Sequence, residues 1–153
     1  MRVVVLDSGP LGLACGSPSK PAVARCQAWL RALDVAGVRV VVPEIADYEV
    51  RRGLRHAGAA ASLARLDGLR GPDGHLVYEP ITTAAMRLAA ELWAAARRAG
   101  LPMAGPRSLD ADVILAAQAV LACGPADTVT VATTNVGHLA RFVDARPWDQ
   151  IAP

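Results

Sequence analysis

The sequence predicts an α/β protein in which helices cover both faces of a central parallel sheet of four to five strands. Short runs of β-branched residues alternate with longer segments of helical periodicity, and this order implies parallel pairing through right-handed crossovers. The short runs are apolar throughout, which is typical of strands buried on both faces. A chain of 153 residues fits one ordinary domain. We therefore expect residues 1–153 to form a single three-layer sandwich.

The first half of the chain predicts the order strand, helix, strand, helix. An apolar run at Val3–Leu6 is expected to be the first strand, and it ends at Asp7. A segment rich in proline, glycine and serine predicts a loop through Pro21. The next residues have a helical apolar period that ends near Gly37. A second strand is predicted at Val38–Val42, followed by a helix with one apolar face.

The second half continues the alternation. The predicted elements are a helix at Ala59–Leu69, a turn at residues 71–74, a strand at Leu76–Tyr78, a helix at Thr82–Ala99, a helix from the N-cap Ser108 to about Ala122, and a strand at Thr128–Ala132.

The helix predicted at Thr82–Ala99 is apolar on two sides. Its two stripes are Leu88, Leu92 and Ala96 on one side and Met86, Ala90 and Trp93 on the other. One stripe is enough to attach a helix to its own domain. The second stripe predicts contact with a partner chain, and we expect a homodimer.

Composition excludes several classes of protein. The chain has 16 basic and 14 acidic residues, a net charge of +2, so any binding of a polyanion must be local. Charged residues interrupt every window long enough to span a membrane, and the N-terminus lacks the apolar region of a secretory signal. We expect a cytoplasmic protein. The 3 cysteines lack a paired C-x-x-C spacing, which argues against a disulfide framework or a zinc site.

Polar residues follow the predicted strands, at the edge where open parallel sheets bind ligands. They are Asp7 after the first strand, Glu44 and Glu49 after the second, Asp110 and Asp112 at the start of the last long helix, and Asn135 after the last strand. Carboxylates gathered at one edge repel one another unless a cation neutralises them. The pattern therefore predicts a hard cation such as Mg²⁺ or Mn²⁺.

Each of these residues also has a simpler interpretation when it is taken alone. Asp7 suits a turn or a helix cap, and a helix dipole favours Asp110 in a first turn. Asn135 suits a loop cap, and most single histidines, such as His138, are packing or surface residues. Asp112 is harder to explain in this way, because an almost wholly apolar helix follows it.

Four segments carry these candidate residues in order along the chain: Val-Val-Val-Leu-Asp7-Ser8, Ile45-Ala-Asp-Tyr-Glu49-Val-Arg-Arg-Gly53, Asp112-Val-Ile-Leu-Ala-Ala-Gln-Ala and Val-Ala-Thr-Thr-Asn135-Val-Gly-His-Leu. Together they resemble motifs of the PIN-domain family, in particular the toxin ribonucleases of VapBC-type toxin–antitoxin modules. The resemblance spans nearly the whole chain. It implies a PIN-like fold and a metal-dependent endoribonuclease that cleaves single-stranded RNA.

The resemblance also implies roles for single residues. Asp7, Glu49 and Asp112 would be catalytic, and they would hold Mg²⁺ or Mn²⁺ together with Asp110 and Asn135. Ser8 and Thr134 would orient the carboxylates. Arg51 and Arg52 would contact RNA phosphates. The expected partners are RNA, a small antitoxin protein bound near the helices after the first two strands, and a second copy of the chain.

The chain departs from the family pattern at two positions. Asn135 stands where many members have Asp, and His138 stands where an acid is common, so the site carries less negative charge. A catalytically weak PIN domain that binds RNA or a protein is therefore an alternative. A phosphatase of the haloacid-dehalogenase type is a more distant one, because that class needs a second Asp two residues after the first, where Gly9 stands.

Overall fold

The computed structural model describes residues 1–70, 75–100 and 106–153, with the side chains of 106–108 excepted. The turn predicted at residues 71–74 lies outside the described residues. The five strands are β1 (Arg2–Leu6), β2 (Arg39–Pro43), β3 (Val77–Glu79), β4 (Thr128–Thr133) and β5 (Ala145–Pro147). The described helices are α1 (Ser8–Ala14), α2 (Pro21–Val35), α3 (Glu44–His56), α4 (Ala60–Gly68), α5 (Thr83–Arg98) and α6 (Pro106–Leu121), with short 3₁₀ helices at Leu139–Arg141 and Trp148–Gln150.

The strands form one parallel sheet in the order β3-β2-β1-β4-β5. β1 lies in the centre, and Val4 pairs with Val40 of β2 on one side and with Thr130 of β4 on the other. The chain adds β2 and β3 on one side of β1 and then crosses to add β4 and β5 on the other. The connections therefore reverse between β1 and β4, and ligands bind at such a point in open α/β sheets.

Alternate residues of the central strand face the two helical layers. Val4 and Leu6 pack in a core with α1, α2 and the C-terminal Trp148, whereas Val3 and Val5 pack in a second core with α6. α5 lies outside α6 and packs against it through a third apolar cluster. The predicted α/β sandwich with a parallel sheet of four to five strands is confirmed, with five strands.

Three elements differ from the sequence prediction. The segment expected to be a loop through Pro21 contains α1, because Gly9 and Pro10 imitate a turn. A proline in the first turn of a helix loses no hydrogen bond, since the first four N–H groups have no partner within the helix. β5 was not predicted, because it has only 3 residues, of which the last is Pro147. α6 begins at Pro106, so Ser108 lies inside the helix and is not its N-cap.

The two stripes of α5 have different surroundings. Leu88 and Leu92 pack in the cluster between α5 and α6, as the first stripe predicts. Met86 and Trp93 of the second stripe are 46% and 38% exposed. The partner chain that this stripe predicts is not tested by the structure. All three cysteines are free, and among the described residues no helix is long and apolar enough to cross a membrane.

Candidate active site

Asp7 is held firmly where β1 ends. Its backbone N–H continues the ladder to the Ala132 carbonyl of β4 at 2.9 Å. One carboxylate oxygen accepts from the Ser8 N–H at 2.7 Å and so caps α1. The other accepts from the Thr133 hydroxyl, also at 2.7 Å, and that hydroxyl accepts from the Asn135 N–H at 3.0 Å. The end of β4 therefore fixes the orientation of Asp7.

Glu49 reaches the same edge from α3, whose start is anchored by two hydrogen bonds. The Ile45 N–H donates to the side-chain carbonyl of Gln118, a buried residue of α6, at 3.2 Å. The Glu44 carboxylate accepts from the Ile81 N–H at 2.5 Å. Glu49 itself is half-buried, and Arg52 approaches its carboxylate at 3.7 Å. The Gln118 contact ties the start of α3 to α6, and the Ile81 contact ties it to the segment that follows β3.

Asp112 projects from α6 toward Asp7. The small residues that follow it on this side of the helix, Ala116 and Ala119, are fully buried and let α6 lie close to the sheet. Burial and then the charge of Asp7 raise the pKa of Asp112 from 3.8 to about 6. Burial also raises the pKa of Glu49, and the charges of Asp7 and Asp112 act in the same direction while Arg52 opposes them. Glu49 and Asp112 therefore lie within electrostatic range of Asp7, and their raised pKa values mean that a positive charge in the cavity would stabilise their ionised forms.

A cavity of about 280 Å³ connects the three carboxylates. It is lined by Asp7, Ser8, Glu49, Ala111, Asp112, Thr134, Asn135, His138 and Leu139. Its floor is the reversal point between β1 and β4. The sequence prediction that these acids meet at one edge of the sheet agrees with the structure for three of them.

Several candidate residues lie elsewhere or have other contacts. Asp110 does not line the cavity; it is exposed and borders the groove between α5 and α6 beside Met86 and Trp93. Two helix positions from Asp112 correspond to a rotation of about 200°, which turns Asp110 away from the sheet edge. The structure therefore gives no support to Asp110 as a ligand.

The two adjacent arginines of α3, Arg51 and Arg52, have different contacts. Arg51 makes two hydrogen bonds to the buried Asp47, at 2.8 and 3.1 Å, and a third to Asp67 of α4 at 2.8 Å. It joins α3 to α4 and is not free to bind a phosphate. Arg52 is 60% exposed, stacks over Tyr48 at 5.1 Å and approaches the carboxylate of Glu49, a residue that lines the cavity.

The sequence interpretation missed the role of Thr133. Thr134 was expected to orient a carboxylate, but the hydroxyl that binds Asp7 belongs to Thr133, which is fully buried. Thr134 lines the cavity and packs so closely on Gly9 that a Cβ there would lie 2.4 Å from the Thr134 hydroxyl oxygen. The alternation of side chains along β4 was a usable signal, because it turns adjacent threonines in opposite directions.

The donor set suits a hard divalent cation. Carboxylate and amide oxygens are the ligands that Mg²⁺ and Mn²⁺ take, and burial, followed by the neighbouring carboxylates, raises the pKa values of Glu49 and Asp112. Within the described part of the chain, no three histidine, cysteine or acidic side chains are already arranged to hold an ion directly. Mg²⁺ keeps several water ligands in proteins, so these side chains would hold the ion partly through water.

Comparison with solved structures identifies the fold, whereas no protein-family model and no curated protein sequence matches this chain. VapBC2 from Rickettsia felis, bound to a DNA fragment from its promoter, superposes with a TM-score of 0.71 at 15% identity, covering 96% of this chain and 99% of that chain. FitAcB from Neisseria gonorrhoeae gives 0.63 at 20% identity, and DNA-bound VapBC from Salmonella typhimurium gives 0.61 at 19%. Both cover 97% of this chain and 99% of the other.

These similarities extend over nearly the full length of each pair of chains. They define this protein as an α/β protein with the PIN-like fold, as the sequence motifs predict. At these identities they show the fold alone. The chemistry must be argued from the cavity itself.

Proposed function

We propose that this protein is a metal-dependent endoribonuclease that cleaves single-stranded RNA and is the toxin of a toxin–antitoxin pair. The observation that carries the proposal is the meeting of Asp7, Glu49 and Asp112, from three different elements, in one half-buried cavity at the reversal point of the sheet. Hydrogen bonds fix the orientation of Asp7, and burial raises the pKa values of Glu49 and Asp112, so a cation between them is favoured. The similarity to VapBC structures supports the same class.

The carboxylates have distinct parts in this proposal. When bound, Mg²⁺ or Mn²⁺ supplies a Lewis acid that activates water and neutralises charge on the phosphodiester. Asp7 is the fixed ligand, because Thr133 and Ser8 hold both of its oxygens. Glu49 and Asp112 complete the binding set, directly or through water, and the Asn135 amide adds a neutral oxygen. Ser8 and Thr134 form part of the wall of the cavity.

RNA reaches this cavity past Arg52. Its guanidinium is exposed, lies next to Glu49 and stacks on the exposed Tyr48, so it can contact a phosphate without leaving the edge of the site. Arg51 is omitted from the proposed RNA contacts, because its ion pairs with Asp47 and Asp67 hold it.

An antitoxin segment fits a second, mainly apolar cavity of the described structure. This cavity has a volume of about 410 Å³ and lies between α2 and α4, with Leu30, Leu69 and Leu76 as apolar lining and Arg31 and Arg65 at its edges. The position agrees with the expectation of a groove near the helices after the first two strands. The VapBC and FitAcB similarities support such a partner. Homodimerisation through α5 and a cytoplasmic location remain part of the proposal.

The test is cleavage of a labelled single-stranded RNA by the purified full chain with Mg²⁺ or Mn²⁺. Asp7→Asn and Asp112→Asn are expected to lower the rate by about 100-fold or more, because each removes charge that holds the ion. Asp110→Asn is the matched control, since the same change on the same helix lies outside the cavity. Equal cleavage by the wild type and Asp7→Asn would show contamination and refute the catalytic assignment.

A catalytically weak RNA-binding domain is a second candidate. It is favoured by the neutral Asn135 in the cavity and by the lack of a ready cluster of three ligands among the described residues. Binding of RNA that is unchanged by Asp7→Asn, with no cleavage in either metal, would select this candidate over the nuclease.

A further inference from the structure

Tyr48 of α3 is an exposed aromatic residue that directly precedes Glu49, one of the carboxylates of the cavity. It is 55% exposed and belongs to none of the three apolar clusters of the described residues. An aromatic side chain stabilises a fold mainly through the area that it buries, so this ring contributes little to folding. A single exposed tyrosine is common on protein surfaces, and its position therefore decides whether it has a role.

Arg52 connects the Tyr48 ring to the cavity. Its guanidinium carbon lies over the ring, 5.1 Å from the ring centre, and one of its nitrogens is 3.7 Å from a carboxylate oxygen of Glu49. Tyr48 keeps its 55% exposure although Arg52 covers part of it, so the ring has room for a second flat group. An aromatic surface and a cation thus lie one after the other beside the acidic cavity.

Two other described rings carry an arginine in the same way, but in other surroundings. Arg70 lies over Tyr78 at 4.5 Å, and Arg97 lies over Trp93 at 5.0 Å. Tyr78 packs against the core that contains α1 and α2, and Trp93 borders the groove between α5 and α6. Of these three pairs, the Tyr48 pair is the one whose arginine approaches a carboxylate of the cavity.

We propose that Tyr48 stacks on an unpaired nucleobase of the RNA next to the phosphodiester in the cavity, while Arg52 binds the adjoining phosphate. The inference rests on the proposed function, since it needs an RNA strand at the carboxylates. A base offers its face to a side chain when it is not enclosed in a duplex, and proteins that bind single strands combine aromatic rings with arginine. Tyr48 therefore confines cleavage to unpaired nucleotides, with little dependence on sequence because every base has a flat face.

The experiment measures binding of a labelled single-stranded RNA to the purified full chain by fluorescence anisotropy. Ca²⁺ replaces Mg²⁺ so that binding is measured apart from cleavage, and a gel confirms that the RNA stays intact. The same RNA is also prepared as a series in which one nucleotide at a time is replaced by an abasic analogue. The variants are Tyr48→Leu, Tyr48→Phe and Tyr48→Trp, each checked for native folding by circular dichroism.

Loss of one particular base should weaken binding to the wild type by about 5-fold or more, and to Tyr48→Phe by the same factor, because both keep the ring. Tyr48→Leu should bind the intact RNA about 5-fold more weakly and should no longer distinguish it from that abasic RNA. Tyr48→Trp should increase the difference between the two RNAs, a gain that misfolding does not produce. Binding of a duplex of the same sequence should not depend on the residue at position 48.

Three results would overturn the inference. Tyr48→Leu could bind every RNA as tightly as the wild type, or it could weaken the intact and abasic RNAs equally, which would mean that the ring does not act on a base. If Tyr48→Leu does not fold, an unchanged difference between the RNAs in Tyr48→Trp would decide against stacking. In each case, Asp7-dependent cleavage of the same RNA in Mg²⁺ or Mn²⁺ would leave the proposed function intact, whereas RNA that is neither bound nor cleaved would overturn both.

Discussion

Replacement of Asp112 by Asn is expected to make the metal-free protein more stable while it removes activity. Asp112 lies half-buried in the cavity, and only burial and the charge of Asp7 act on its pKa, both upward. Among the described residues, burial and Asp7 are the influences that act on this carboxylate, and both disfavour its charged form. The neutral amide has nearly the same shape and avoids the electrostatic cost.

The size of the effect follows from the pKa. Burial and Asp7 raise the pKa of Asp112 from 3.8 to about 6. A tenfold change in proton affinity corresponds to about 1.4 kcal/mol, which sets an upper limit of about 3 kcal/mol at pH 8. Solvent screening at a half-buried site reduces this, so we expect a gain of about 1–2 kcal/mol for Asp112→Asn. For a chain of this length the melting temperature should rise by roughly 3–6 °C.

The sign of the pH dependence is fixed by the direction of the shift. The pKa of Asp112 is higher in the folded state than in the unfolded state, so the folded state binds the proton more tightly. The stability that this proton contributes is fully present below about pH 4 and is lost as the pH rises through about 6. The difference in the free energy of unfolding between Asp112→Asn and the wild type should therefore be largest near pH 8 and should vanish near pH 4.

The assay is thermal unfolding in EDTA across this pH range, repeated with saturating Mn²⁺. Asp110→Asn is the control, because Asp110 is exposed and outside the cavity; its effect should stay within about 0.5 kcal/mol. Bound Mn²⁺ should stabilise the wild type more than Asp112→Asn, so it should reduce or reverse the difference between their melting temperatures. An Asp112→Asn protein that is less stable than the wild type at pH 8 in EDTA would refute the reasoning.

Three further predictions concern the surroundings of the cavity. Arg51→Ala should lower the free energy of unfolding by about 2–3 kcal/mol in urea denaturation, because it leaves the buried Asp47 unpaired; a loss under about 0.5 kcal/mol would contradict this. Arg52→Ala should change stability by less than about 0.5 kcal/mol. It should also weaken RNA binding and reduce by about 0.7 the slope of the logarithm of the binding constant against the logarithm of the salt concentration. An unchanged slope would show that Arg52 does not contact RNA. Gly9→Ala should displace Thr134 and slow cleavage, and the added change Thr134→Ala should restore part of the rate; no rescue would mean that the clash is not the cause.

The fold was largely predictable because its signals are local. The strands that carry it, β1, β2 and β4, are apolar and β-branched over most of their length, and the helices between them have clear periods. α1 was missed because Gly9 and Pro10 are turn residues by composition. Their place in the first helical turn depends on the Asp7 side chain, which accepts the Ser8 N–H.

The position of the site was predictable from the sequence, but the contacts of the two arginines near it were not. Strand ends and motif order brought together Asp7, Glu49 and Asp112. The difference between Arg51 and Arg52 depends on which side of α3 faces α4, and Asp67 on α4 decides it. Helix-to-helix contacts of this kind have no signature in the spacing of residues along one helix.

The three carboxylates of the cavity are not equivalent, and the difference suits an exchangeable ion. Asp7 has both oxygens occupied by donors from the protein, so its position does not depend on a cation. The pKa values of Glu49 and Asp112 are raised mainly by burial, and among the described residues Arg52 offers Glu49 a countercharge. A cation that enters the cavity therefore gains most from these two residues while Asp7 fixes where it lies. In the proposed function, an ion would replace Arg52 as the partner of Glu49, and the exposed guanidinium would become free for a phosphate. Metal binding would then favour RNA binding and, by reciprocity, RNA binding would favour metal binding.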